Sequence, residues 1–235
     1  MISQATLASP YAPKGACVAP GVAFALNAGL DQAATQLGRS KPLRILALGS
    51  SSTFGEGASS PDHAYPAQLE SILRAELPGV ALDVVNAGVS GESAKEAAAR
   101  LRLLIARHHP SLVVWQLGSK EGVSLTPVDD FEQTVKGALA QLRAADVDAI
   151  LVGMQWNAIL EKSDHYRAIA AALERLSTQE RAPLVRRFEA MKAIASSHGG
   201  VEMMSPDGFH LNDLGYHCMA EHVATSILSR LGRAR

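Results

Sequence analysis

The chain has 235 residues, of which 47% are apolar and 19% charged, and its formal net charge is −1 from 22 basic and 23 acidic side chains. This composition is ordinary for a globular protein and excludes an intrinsically disordered one, and the balanced charge disfavours a nucleic-acid binder. We expect the arginine-rich segments on a solvated surface rather than in a basic stripe; they are Arg186-Arg187 and the group Arg230, Arg233 and Arg235.

Short apolar runs alternate along the chain with longer stretches of helical periodicity. In chain order we predict an irregular arm over 1–22, a helix over 24–38, a strand over 43–48, a loop rich in serine and glycine over 50–62, a helix over 65–77, a strand over 80–85, a helix over 93–108, a strand over 112–117, a helix over 128–145, a strand over 149–154, a helix over 163–176, a strand over 183–185, and helices over 188–197 and 214–231. The alternation predicts one three-layer α/β/α domain over 23–235, with a central, mostly parallel five-stranded sheet.

The compartment is left open by the sequence. No apolar run reaches the roughly 18 residues of a membrane span. The segment 1–15 lacks the basic and apolar regions of a signal peptide, which predicts a cytoplasmic protein or a mature form whose leader was removed. Cys17 and Cys218 are too far apart for a zinc or redox motif, and two unlinked thiols are the favoured interpretation. The alternative is a disulfide between the arm and the last helix, which needs an oxidising compartment.

Polar, glycine-bearing loops follow the first three predicted strands, and a fourth precedes the last helix; they are 49–53, 86–91, 118–121 and 205–210. In an open parallel sheet such loops meet at one edge, where ligands bind. Ser51 lies in a tight turn, and a serine becomes a nucleophile when an adjacent base accepts its proton. One loop can hold the Asp207 carboxylate against the His210 imidazole and leave the second ring nitrogen free to be that base.

In this order the loops resemble the four sequence blocks of the SGNH (GDSL-like) hydrolases. The resemblance implies the flavodoxin-like fold of that family and a serine esterase that needs no metal or organic cofactor. It makes Ser51 the nucleophile, with Asp207 and His210 as its base pair. It also assigns the backbone N–H groups of Ser51 and Gly88 to the oxyanion hole. The implied substrates are small-acyl, lipid or O-acetylated carbohydrate esters, cleaved through an acyl-enzyme intermediate.

Two positions depart from the family's pattern. Ser50 replaces an aspartate that mainly shapes the loop, so we expect the serine to be tolerated. Lys120 replaces an asparagine whose amide is an oxyanion donor. Lys120 can be a substitute donor, a neutral change in a weakened enzyme, or the mark of a protein that has lost catalysis and binds a glycan or lipid in the same crevice. Gln155 and Trp156 follow the fourth predicted strand and are candidates for lining the substrate pocket.

Two other functional classes are disfavoured by missing motifs. Neither G-x-x-x-x-G-K-[ST] nor G-x-G-x-x-G follows a predicted strand, which disfavours a nucleotide-binding protein. No G-x-S-x-G motif surrounds Ser51, which disfavours an α/β-hydrolase with a nucleophile elbow. The spacings of the histidines, cysteines and carboxylates do not predict a zinc site.

Overall fold

A computed structural model describes residues 11–24, 29–197 and 202–231. Its centre is a five-stranded sheet in the order β2-β1-β3-β4-β5, with every neighbouring pair parallel. The strands are β1 Leu43–Gly49, β2 Leu82–Gly88, β3 Leu112–Gln116, β4 Asp148–Val152 and β5 Leu184–Val185. The α-helices are α1 Asp31–Gly38, α2 Ser51–Phe54, α3 Tyr65–Glu76, α4 Ala94–His108, α5 Ser119–Val123, α6 Val128–Ala144, α7 Asp164–Gln179, α8 Arg187–Ser197 and α9 Asp213–Leu231. The predicted five-stranded α/β/α fold is confirmed.

Helices cover both faces of the sheet, because successive side chains of each strand point to opposite faces. Ile45 and Ala47 of β1 belong to a core shared with α1, α3, α8 and α9, whereas Leu46 and Leu48 belong to a second core shared with α4, α6 and α7. β1 is therefore an almost continuous apolar run in which only Arg44 is exposed. Within the described ranges, no helix is both long and apolar enough to cross a bilayer.

The differences from the predicted elements are local. The predicted loop over 50–62 contains α2 and a 3₁₀ turn, and α5 forms directly after β3. Helices this short show no apolar periodicity; α2 depends on the carbonyl of Ser50, which accepts the N–H groups of Thr53 and Phe54. The helix predicted over 24–38 begins at Asp31, and 25–28 of that range and 1–10 of the arm lie outside the described residues.

The two arginines after β5 do not both lie on a solvated surface. Arg186 is half-buried and pairs with Glu174, but Arg187 is 1% exposed. The solvated-surface interpretation is therefore wrong for Arg187, because β5 ends only two residues earlier and α8 carries this side chain under the sheet edge. Arg230 is half-buried near the end of α9, while Arg233 and Arg235 lie outside the described residues.

The arm over 11–24 packs along α9, and this contact joins the two cysteines. Cys17 and Cys218 form a disulfide, with their Cα atoms 4.8 Å apart. The favoured interpretation of two unlinked thiols is therefore wrong. Next to the disulfide, His222 Nε2 donates to the carbonyl of Cys17 at 2.8 Å, and the N–H of Lys14 donates to the buried Glu221 carboxylate at 2.7 Å. These polar contacts satisfy groups that the arm buries, and burial lowers the pKa of His222 to about 4.

The disulfide predicts a simple thiol count. The protein has two cysteines, so the unfolded, unreduced chain should react with no thiol reagent, and the reduced chain should show two free thiols. Loss of a disulfide from a small domain costs about 2–5 kcal/mol. We therefore expect a double Cys17→Ser, Cys218→Ser variant to have a lower free energy of unfolding in urea. Two reactive thiols in the unreduced wild type would contradict the disulfide.

Candidate active site

The strand register brings the four predicted loops together. Gly49, the last residue of β1, lies opposite Gly88 of β2, and Leu48 lies opposite Trp115 of β3. The loops that follow these strands therefore leave the sheet at one edge. There they enclose, with the loop before α9, a cavity of about 300 Å³. Its lining includes Ser51, Gly91, Lys120, Gln155 and His210.

Ser51 is the first residue of α2 and is half-buried at the cavity wall. The turn before it is held by Ser50, whose N–H and hydroxyl both donate to Gln116 Oε1, at 3.2 and 3.4 Å. The serine that replaces the family's aspartate thus shapes this loop through β3. As the first residue of a helix, Ser51 has a backbone N–H without an intrahelical acceptor.

Asp207 and His210 form the predicted pair within one loop. His210 Nδ1 lies 2.6 Å from Asp207 Oδ2, and the ionised carboxylate can only accept, so Nδ1 carries the hydrogen. The hydroxyl of Ser205 and the N–H groups of Phe209 and His210 donate to Asp207 Oδ1 at 2.6, 2.8 and 2.9 Å. These hydrogen bonds, that of Ser205 first, hold the pKa of Asp207 well below its ordinary value. In a neutral imidazole, His210 Nε2 is then free to accept a proton.

The loop that carries this pair is fixed by the segment after β4. Gln155 Nε2 donates to the carbonyl of Phe209 at 2.7 Å, and Asn157 Nδ2 donates to the carbonyl of Gly208 at 2.9 Å. Gln155 lines the cavity as predicted, but its amide is used to hold the loop. Trp156 is not among the residues that line this cavity, so its role in substrate binding stays a prediction. Its indole N–H donates to Glu161 at 2.8 Å, and the ring lines a separate, neighbouring cavity.

Gly88 is not placed as an oxyanion donor. Its N–H donates to Asn86 Oδ1 at 2.9 Å, and Gly88 does not line the cavity. Glycine is needed there for a different reason, because a Cβ would lie 2.2 Å from the N atom of Phe54 in α2. Gly91 of the same loop does line the cavity, at a φ of +75°. In the described part of the chain, its N–H has no acceptor.

Lys120 lines the cavity, and its charge also acts on the exposed carboxylate of Glu96, whose pKa is lowered by hydrogen bonds from Ser93 first and by Lys120 last. Its neighbour Glu121 is buried and fully used, accepting the N–H of Ala94 at 2.6 Å and that of Gly118 at 3.0 Å. Lys120 itself is exposed, lines the cavity, and forms no ion pair with any described residue. Glu121 therefore does not hold Lys120 in an ion pair.

Sequence reasoning missed three contributors to the site: Ser205, Gly91 and the loop-fixing role of Gln155. The sequence did contain a signal for Gly91, since the block 86–91 has a second glycine beside a serine. Ser205 had only its position two residues before Asp207 as a signal. In the described residues no hydrogen bond joins Ser51 to His210, although both line the one cavity.

Comparison with known proteins agrees with the α/β/α fold and identifies esterases among the relatives of this chain. Residues 16–233 match the model of a family described as the Non-GDSL lipase-like family. A thioesterase 1/protease 1/lysophospholipase L1 from Escherichia coli is 27% identical over 168 residues, which are 72% of this chain and 75% of the relative. A crystal structure of TesA has a TM-score of 0.66 and 27% identity, covering 77% of this chain and 95% of the other. AlinE4, described as an SGNH-hydrolase family esterase, has a TM-score of 0.57 and 26% identity, covering 67% and 81%.

The two glycines of the loop after β2 should respond differently to alanine. At position 88 the new Cβ meets backbone atoms of α2, and overpacking of this kind costs about 1–3 kcal/mol. At position 91 the Cβ has open space, and only the positive φ, about 1–2 kcal/mol, opposes the alanine. We expect urea unfolding to show Gly88→Ala as the less stable variant. If Gly91→Ala were the less stable, the close approach of Gly88 to α2 would be contradicted.

Proposed function

We propose that Ser51, His210 and Asp207 carry out the reaction of this chain, which belongs to the Non-GDSL lipase-like family and is a carboxylic ester hydrolase. One observation carries the proposal: Ser51 and an imidazole oriented by a carboxylate line the same cavity at the sheet edge. The esterase and thioesterase relatives do not favour the alternative of a non-catalytic binding module.

The proposed reaction begins with proton transfer from Ser51 Oγ to His210 Nε2 as Oγ attacks the ester carbonyl. Asp207 accepts a hydrogen bond from Nδ1 throughout and stabilises the imidazolium that forms. The tetrahedral intermediate collapses as the carbon–oxygen bond to the alcohol breaks, and His210 returns the proton to the leaving oxygen. A water molecule then gives a proton to His210 and attacks the acyl carbonyl. The bond from the acyl carbon to Ser51 Oγ breaks, His210 returns the proton to Oγ, and the acid is released.

The oxyanion of that intermediate needs donors, and the cavity offers three. We assign the N–H of Ser51, the N–H of Gly91 and the ammonium of Lys120, because all three residues line the cavity. Lys120 is the substitute for the family's asparagine in this assignment, and its freedom from ion pairs with described residues supports it. Small-acyl, lipid and O-acetylated carbohydrate esters are the candidate substrates.

Ser51→Ala should abolish hydrolysis of p-nitrophenyl esters of any chain length and labelling by a fluorophosphonate, because the variant has no nucleophile. Ser59→Ala is a matched control. Ser59 also contacts a histidine and an aspartate, His63 and Asp213, both at 2.6 Å, but it lies outside the cavity. Ser59→Ala should keep full activity. Undiminished activity in Ser51→Ala would exclude the proposed mechanism.

Lys120→Met should lower kcat about 100-fold, the usual effect of losing one oxyanion donor. Lys120→Asn should stay closer to the wild type, since an amide restores a donor. Lys95→Met removes a nearby exposed lysine that does not line the cavity, and its kcat should not change. An unchanged kcat in Lys120→Met, or a strong rise in Lys120→Asn, would show that Lys120 is not a donor.

A further inference from the structure

Arg187 is a buried cation under the catalytic edge of the sheet. It is the first residue of α8, two residues after β5, and is 1% exposed. Both terminal nitrogens of its guanidinium donate to the hydroxyl of Ser52, each at 3.3 Å. One of them also donates to Gln155 Oε1 at 3.1 Å, while Nε has no partner in the described structure. Burial lowers the pKa of Arg187, but an arginine keeps its charge in proteins.

No carboxylate side chain neutralises this charge. Every aspartate and glutamate of the sequence lies within the described ranges, and none of them forms an ion pair with Arg187. The groups that face it are neutral: the hydroxyl of Ser52, the amide of Gln155, and three tyrosines in its surroundings, Tyr65, Tyr166 and Tyr216. A buried charge without a counterion is costly, so its presence under the site needs a compensating role.

The contacts of Arg187 reach both halves of the proposed machinery. Ser52 follows the nucleophile Ser51 directly in α2. Gln155, through its other amide atom, holds the carbonyl of Phe209 at 2.7 Å, next to His210. The guanidinium of Arg187 is therefore hydrogen-bonded directly to the helix of the nucleophile. It is linked to the loop of His210 through Gln155.

We propose that Arg187 is a positioning residue whose unpaired charge stabilises the anionic tetrahedral intermediate at Ser51, while its hydrogen bonds keep the nucleophile and base loops in register. This inference rests on the proposed esterase function. Negative charge appears on the carbonyl oxygen when Ser51 Oγ attacks, and it disappears when the alcohol leaves. A fixed cation in a dry interior favours that state over the neutral substrate, so it should act on kcat more than on KM.

The test compares three variants with the wild type. Arg187→Met removes the charge and keeps an unbranched side chain that can stay buried. Arg187→Lys keeps the charge and loses the planar guanidinium. Arg186→Met removes the adjacent arginine that has a carboxylate partner. We expect Arg187→Met to lower kcat about 10- to 100-fold with KM within about threefold. Arg187→Lys should recover most of the loss, and Arg186→Met should match the wild type. If Arg187→Met does not fold, Arg187→Gln takes its place.

A second measurement separates this role from simple packing. An alkyl trifluoromethyl ketone adds to the serine as a tetrahedral oxyanion. Its inhibition constant should therefore rise in Arg187→Met by the factor by which kcat/KM falls. A kcat of Arg187→Met within about threefold of the wild type would overturn the inference, and so would an Arg187→Lys variant as impaired as Arg187→Met. Failure of a fluorophosphonate to label Ser51 in the wild type would contradict the esterase mechanism itself.

Discussion

The parallel pairing of β1 with both of its neighbours is the constraint on which the site depends. β1 pairs with β2 from Leu43 to Gly49 without a break, and with β3 as far as Leu48. Because all these strands run in the same direction, their final residues lie at one edge of the sheet. The polar loops that follow them therefore meet at that edge. A one-residue shift in the register of β1 would turn its apolar side chains to the wrong faces of the sheet. The same shift would move the loop after β1 away from its neighbours.

Around that edge, a small number of hydrogen bonds connects segments that are distant in the sequence. Gln155 is central to them, since its amide joins Arg187 on one side and the carbonyl of Phe209 on the other. Its backbone carbonyl accepts the hydroxyl of Tyr166 at 2.8 Å, and its N–H donates to Ser119 at 3.3 Å. Gln155, three residues after β4, thus holds the loops around it in place, and these loops form the cavity wall.

The strands and long helices could be predicted from the sequence, because the spacing of their apolar residues follows from which side chains are buried. The sequence also predicted the contact between Asp207 and His210, since their spacing permits it within a single loop. The family resemblance pointed to Gly88, whereas the cavity is lined by Gly91, because β2 approaches α2 closely at Gly88. The burial of Arg187 could not be predicted, since a pair of arginines carries no local sign that one of them faces inward. The disulfide required the path of the arm along α9.

That disulfide has a topological consequence. Cys17 and Cys218 are 201 positions apart, so the bond closes the chain into a covalent ring that contains the five described strands and Ser51, Asp207 and His210. A protease that cuts one exposed loop of the ring opens it without releasing a fragment, since both ends of the cut remain joined through the sulfurs. Under oxidising conditions, the two pieces of the nicked molecule therefore stay in one covalent unit.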